Sequence, residues 1–409
     1  MTDLSRDNRL MMLALFLWAS GEGLFTYIQP IYVQQLGANP VEIGGVLALA
    51  GLAMTAAYLP GGILSDRIPR KIILLGGWLL GIVGALTMAA ARDWRTFIPG
   101  IMLYSLSAFC VPAISATVAD SAHGASLARV ITLVYAGYSA GSIISPTVGG
   151  WLAQRTNMRT VYLVASACYA ISTVVILMIK PQPVQARAWR RPSLRVVHSN
   201  VLLALIVFTM FLPLYIGQPL APNFMRNVAG WPVDRIGLLG SLYALGLTAL
   251  SPLLGRWSAR HPIRGLAAGQ ALVWASFGLL LISAKGLPLI AFAAFFLRGG
   301  YGASRSLTGA QIAGQASAEN RGAAFGLSET SVASAQMVAP YLAGWLYNLF
   351  PAAPLLAGLI LIPVGVLLTP RLGLQAQLAG KSPSRTLAPE GSAGANAPSP
   401  QSAITRGQP

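Results

Sequence analysis

Apolar runs of about twenty residues, separated by short charged or Gly/Pro-rich connectors, follow one another along almost the whole chain. A helix needs about 20 apolar residues to cross a hydrocarbon core, and in lipid it satisfies its own backbone hydrogen bonds. Twelve such segments are predicted, near 9–31, 42–62, 71–91, 96–118, 129–152, 159–179, 200–223, 236–255, 265–284, 287–308, 322–347 and 353–370. The expected fold class is therefore an all-α membrane protein of twelve transmembrane helices.

The pattern also repeats. Asn8-Arg9-Leu10 before segment 1 corresponds to Asn200-Val201-Leu202 before segment 7, and Gln29-Pro30 to Ala221-Pro222. Asn39-Pro40-Val41-Glu42-Ile43-Gly44 corresponds to Trp231-Pro232-Val233-Asp234-Arg235-Ile236-Gly237, at an offset of 192 for the prolines. Ser145-Pro146-Thr147-Val148-Gly149-Gly150-Trp151 corresponds to Ala339-Pro340-Tyr341-Leu342-Ala343-Gly344-Trp345, now at 194, so small insertions separate the two copies. Two parallel six-helix halves are a secondary-transporter arrangement, with the substrate site near the midplane where the halves meet. The expected organisation is an N-terminal half over 1–180, a basic linker over 181–199, a C-terminal half over 200–372 and a disordered tail over 373–409, whose Pro/Ser/Ala/Gly composition is poor in large apolar groups.

Composition agrees with a lipid environment: 55% hydrophobic residues, 10% charged and a mean hydropathy of +0.63. A net charge of +17 would suggest nucleic acid in a soluble protein, but its distribution points elsewhere. Of 28 Lys and Arg residues, Arg92, Arg95, Arg155, Arg159, Arg226, Arg235 and Lys285 fall on one side of the predicted spans and Arg298 within one. The other 20 share the side of both chain ends, as the positive-inside rule expects for cytoplasmic termini. The expected location is the plasma (inner) membrane, with the lipid bilayer and not nucleic acid as surroundings, and a single chain as the unit. Cys110 and Cys168 both lie in apolar segments, and there is no phosphate loop or His/Cys cluster. No cofactor, metal or enzymatic chemistry is expected, and with no nucleotide domain any active transport would draw on an ion gradient.

Between segments 2 and 3 the chain reads Pro60-Gly61-Gly62-Ile63-Leu64-Ser65-Asp66-Arg67-Ile68-Pro69-Arg70-Lys71. This resembles the loop motif Gly-x-Leu-x-Asp-Arg-x-Gly-Arg-Lys of the major facilitator superfamily (MFS), with Gly62, Leu64, Asp66, Arg67, Arg70 and Lys71 on the motif and Pro69 in place of a glycine. The resemblance covers roughly residues 8–372. It implies a transporter working by alternating access, in which this loop forms a cytoplasmic gate that latches against segment 11, here beginning at Glu319-Asn320-Arg321-Gly322. The corresponding loop of the second half has Ser258 where Asp66 aligns, so the latch is expected to be asymmetric.

Ionisable groups inside a membrane are costly and call for a reason. Glu22 in Ala19-Ser20-Gly21-Glu22-Gly23 stands roughly 20 Å along segment 1 at 1.5 Å per residue, with glycines that leave room around it. Arg298 is near the middle of segment 10, and Glu329 lies about two turns into segment 11. The resemblance puts segments 1, 4, 7 and 10 around a central cavity, which would set Glu22 and Arg298 on facing walls as a proton-coupling pair. A fixed ion pair that only orients the two helices is the other reading. Glu329 either shares that role or meets Arg305 or Arg321. Tyr27, Gln29, Tyr32, Tyr104, Tyr215, Gln218 and Tyr301 are candidates for the substrate cavity.

Segment 5 carries Gly141-Ser142-Ile143-Ile144-Ser145-Pro146-Thr147-Val148-Gly149-Gly150. Gly141, Pro146, Gly149 and Gly150 resemble the antiporter motif Gly-x-x-x-Gly-Pro-x-x-Gly-Gly, although ordinary close packing of small residues would use the same pattern. Segment 4 lacks the arginine usual in drug exporters. The reading is proton-coupled efflux of a small molecule by antiport. The alternatives are proton-coupled uptake of a sugar or organic anion, or a transporter-like sensor or assembly protein that moves nothing.

Overall fold

The computed structural model describes residues 4–65, 67–120, 127–181, 201–315 and 321–380. Every regular element among them is helical, in the order α1 (Arg6–Thr26), α2 (Gln29–Gln35), α3 (Pro40–Ser65), α4 (Arg70–Ala90), α5 (Trp94–Leu106), α6 (Val111–Asp120), α7 (Leu127–Arg155) and α8 (Met158–Leu177). The second half follows with α9 (Val201–Ile216), α10 (Ala221–Asn227), α11 (Val233–Ser258), α12 (Pro262–Ser283), α13 (Pro288–Leu297), α14 (Gly300–Gln315), α15 (Arg321–Leu349) and α16 (Ala353–Gly380). Each predicted segment coincides with one helix or with two broken pieces. By length and apolarity alone, eight helices among the described residues can cross a membrane, or nine if α1 and α2, bent by 44°, count as one span. α7 and α15 fall outside that test although each is 29 residues long, because they carry the Gly, Ser and Thr residues by which the halves touch.

Local sequence explains where the helices start and break. Asp93 and Thr96 form a capping box at the start of α5, with Thr96 N–H donating to Asp93 Oδ1 at 3.0 Å and Asp93 N–H to Thr96 Oγ1 at 3.2 Å. Asn39 and Glu42 do the same at α3. Gly37 (φ 93°) and Gly230 (φ 70°) turn the chain into α3 and α11 through the left-handed region that glycine alone enters freely. Segments 1 and 7 both break shortly before a proline, Pro30 and Pro222, which sit near the start of α2 and α10 and remove a backbone donor.

Helices of opposite halves meet along two seams, α3 against α15 and α7 against α11. A Cβ on Gly44 or Gly237 would strike the carbonyl of Pro340 or Pro146 respectively. Both seams are tight at the distal face, where α2, α3, α10 and α11 have the ends nearest Gly37 and Gly230. Hydrogen bonds reinforce the closure. Asn223 donates to Pro30 O at 3.2 Å and Gln34 Oε1 at 2.7 Å, and Asn227 to Gln34 Oε1 at 3.2 Å and Tyr347 Oη at 3.1 Å.

α16 runs as far as Gly380. Residues 182–199 of the expected linker lie outside the described residues.

Candidate functional site

The two halves enclose a cavity of about 430 Å³ whose wall includes Glu22, Tyr27, Gln29, Tyr104, Tyr138, Tyr215, Gln218, Tyr243 and Arg298. That volume suits a drug-sized molecule. Five of the seven predicted cavity residues are thus on its wall. Tyr32 and Tyr301 are not: each is buried, Tyr32 against Phe97 and Tyr162, Tyr301 against Phe211 and Tyr215.

Glu22 stands on α1 where that helix is held close to two others. A Cβ on Gly21 would meet the Tyr169 ring of α8 at 2.8 Å, and one on Gly23 would strike Ser145 of α7. The flanking glycines therefore do not make room for Glu22, as expected from sequence; they bring the helices together and leave the carboxylate the cavity side. There Glu22 Oε2 accepts a hydrogen bond from Tyr138 Oη at 2.7 Å. The sequence does not single out Tyr138, because α7 also carries Thr132, Tyr135, Ser139, Ser142, Ser145 and Thr147 and so shows no one polar stripe.

Arg298 is placed by two helix breaks. α13 ends at Leu297 with Arg298 as its C-cap, and Gly299 and Gly300 then run so close to α11 and α12 that a Cβ on Gly300 would lie 2.6 Å from Gly269 O. In the break between α9 and α10 the Gln218 carbonyl accepts the Ala221 N–H at 3.3 Å and has a second lone pair to offer. Arg298 Nη2 donates to this carbonyl at 2.9 Å, and Nε donates to Gln218 Oε1 at 3.3 Å. The guanidinium is 4% exposed and lies 5.1 Å from the Tyr243 ring centre and 5.0 Å from that of Phe295, at cation–π distance. Nη1 makes no well-formed hydrogen bond, and the Tyr27 hydroxyl lies beside the guanidinium. Glu22 and Arg298 share the cavity without forming an ion pair in this structure: the hydrogen bonds found are Tyr138 to Glu22 and Arg298 to Gln218.

Glu329 is away from this wall and pairs with Arg305 Nη2. This is the second of the two roles expected for it. The loop motif is partly described. Gly62 and Leu64 end α3, Arg70 Nη1 donates to Ala116 O at 3.2 Å, and Lys71 Nζ to Leu177 O at 2.7 Å. Leu177 is the last residue of α8, where carbonyls lack intrahelical donors. Asp66 and the start of segment 11 at Glu319-Asn320 lie outside the described residues, as does the latch between them. Arg67 N–H donates to Leu64 O at 3.0 Å in the turn that follows α3.

The antiporter-like motif serves two faces of α7. Gly141 and Gly149 lie against Phe16 O and Leu24 O of α1, while Pro146 and Gly150 face α11, where a Cβ on Gly150 would come 2.7 Å from Val233 O. Thr147 Oγ1 and Ser241 Oγ join the seam at 2.7 Å. Among the described residues no group of three or more His, Cys, Asp or Glu side chains is placed to hold a metal.

Comparison with known proteins agrees with this architecture. The chain is similar to Multidrug resistance protein MdtG of Escherichia fergusonii, 28% identical over 273 residues that make up 62% of this chain and 66% of that protein, just under two thirds of its length. It is similar to Quinolone resistance protein NorA of Staphylococcus aureus, 22% identical over 374 residues, 85% of this chain and 93% of that one. Among solved structures, the nucleoside transporter NupG superposes with a TM-score of 0.75 at 14% identity, covering 91% of this chain and 99% of its own. The peptide transporter POT in complex with sulfate gives 0.72 at 15%, covering 90% and 95%. The sequence model of the Major Facilitator Superfamily matches residues 11–232 and again 203–400, once per half with an overlap between them. With the duplicated helical halves and the cavity between them, that match establishes that the chain belongs to the Major Facilitator Superfamily.

Proposed function

We propose that this transporter exports small amphiphilic molecules in exchange for protons, as a single chain in the inner membrane with both termini in the cytoplasm. The observation that carries the reading is Glu22: a carboxylate on the wall of the cavity between the halves, held by a tyrosine hydroxyl rather than by a cation. A group so placed can take up or release a proton as the cavity exchanges one face for the other, and substrate can compete for it. The distal seams and the Asn223–Gln34 clasp correspond to a closed outer side, so the cavity would load from the cytoplasm. The printed names of the relatives MdtG and NorA refer to multidrug and quinolone resistance, which supports export over uptake. Arg298, with one amino group in no well-formed hydrogen bond, supports a second reading, uptake of an organic anion.

Expression of the wild type and Glu22→Gln in a host stripped of its own exporters, with growth scored against dyes, antibiotics and toxic amphiphiles, tests the proposal. Resistance conferred by the wild type and lost in a normally expressed mutant is the expected result. Wild-type resistance and pH dependence in Glu22→Gln would sink it.

A further inference from the structure

The cavity wall carries an acidic side chain at one place and a basic one at another, and the two do not pair. In the first half Glu22 is held by Tyr138; in the second Arg298 is fixed on Gln218 and between two rings, with Nη1 left over. A buried cationic donor without a well-formed hydrogen bond is costly and is normally satisfied by a partner, here a group that enters the cavity. Next to Glu22 a second chamber of about 310 Å³ opens inside the first half. Its wall is aromatic, with Trp18, Tyr58, Trp78 and Tyr135, and Glu22, Tyr104 and Tyr138 belong to both chambers. Aromatic faces beside a carboxylate suit a protonated amine and its apolar substituents. A guanidinium with an amino group still to be satisfied suits a carboxylate.

We infer that the preferred substrates are dipolar aromatic molecules, bound with an amine toward Glu22 and the aromatic chamber and a carboxylate toward Arg298. Such a molecule satisfies both walls at once, whereas a simple cation leaves Arg298 without an anionic acceptor and a simple anion leaves Glu22 without a counter-charge. The inference rests on the central cavity being the transport site, as proposed above, but not on the direction of transport.

Three probes on one ring system separate the contributions: naphthylmethylamine, naphthoic acid and aminomethylnaphthoic acid, titrated calorimetrically into the purified full chain in detergent. The dipolar probe is expected to bind about tenfold more tightly than either single-charge probe, the worth of one additional charge-assisted hydrogen bond. Glu22→Gln is expected to weaken the two amine-bearing probes and spare naphthoic acid. Arg298→Gln is expected to weaken the two carboxylate-bearing probes and spare the amine. Arg298→Lys, which keeps the charge, and size-exclusion profiles of each variant separate loss of recognition from loss of fold. Equal binding of all three probes, no binding of any, or a uniform loss across the probes in both folded variants would overturn the inference. Selective binding without resistance in cells would leave it standing and count against export; resistance without selectivity for the dipolar probe would do the reverse.

Discussion

Asn223 donates its side-chain amide to Gln34 Oε1 at 2.7 Å, a hydrogen bond that joins α10 of the second half to α2 of the first across the distal face. The same nitrogen reaches the Pro30 carbonyl, so one residue holds two points on the opposite half. Asn223→Ala removes both, each worth roughly 1 kcal/mol net. The distal face should then open in a larger fraction of molecules, by about tenfold or more. Spin labels at the exposed Gln35 and Val228, in a cysteine-free background, should report a new population at longer distance; an unchanged distribution would mean that the clasp does not restrain this face.

Gly237→Val and Gly44→Val should each force the halves apart, because the new side chain would occupy the space of the Pro146 or Pro340 carbonyl. Gly45→Val is the control, since nothing stands within 4 Å of the Cβ it would add. The first two variants are expected to show lower thermal stability in detergent and the same distance shift as Asn223→Ala, and the control neither.

Tyr138→Phe keeps the ring and deletes the hydroxyl that donates to Glu22. Transport should fall roughly tenfold, as befits one hydrogen bond to a charged group, with little change in melting temperature. If efflux rates in proteoliposomes match those of the wild type, the hydroxyl has no part in the cycle.

Lys71 caps the last turn of α8 by donating to Leu177 O, and it does so from the partly exposed surface. Lys71→Ala should cost on the order of 0.5–1 kcal/mol, seen as a small fall in melting temperature, while Lys71→Arg retains a donor and most of the stability. A large loss of transport without a fall in stability would instead place Lys71 in the gate.

Asp93, in the turn before α5, has its carboxyl held below the ordinary aspartate range by the backbone amide of Thr96 and, secondarily, that of Arg95. A depressed pKa contributes stability above the unfolded value, near 4, and that contribution disappears as pH falls through the lower folded value. The melting-temperature gap between wild type and Asp93→Ala should therefore be full at neutral pH and narrow below about pH 4. A gap independent of pH would show that the cap acts without its charge.

What the sequence made legible was periodic or costly. The spans follow from apolar length, the two halves from the Pro and Gly landmarks, and Glu22 and Arg298 from the expense of charge in lipid. What it hid was non-local. Nothing near Gln34 in the chain announces Asn223, and the glycines beside Glu22 look like free space until α7 and α8 are seen lying against them. Residue type alone does not separate Tyr32 and Tyr301, which are buried, from Tyr27, Tyr104 and Tyr215, which reach the cavity. The helix break at Arg298 could have been read from Gly299-Gly300; the carbonyl it serves, in the break between α9 and α10, could not.

The seams carry one last consequence. Pro146 meets Gly237 on one seam, and their counterparts in the repeat, Pro340 and Gly44, meet on the other; Gly150 rests on Val233, and its counterpart Gly344 on Pro40 and Val41. Each half thus offers the same patch to its neighbour that it receives, the self-complementary geometry of a two-fold homodimer. The two seams are therefore one interface used twice, although the cavity they enclose has its acid, Glu22, in one half and its base, Arg298, in the other.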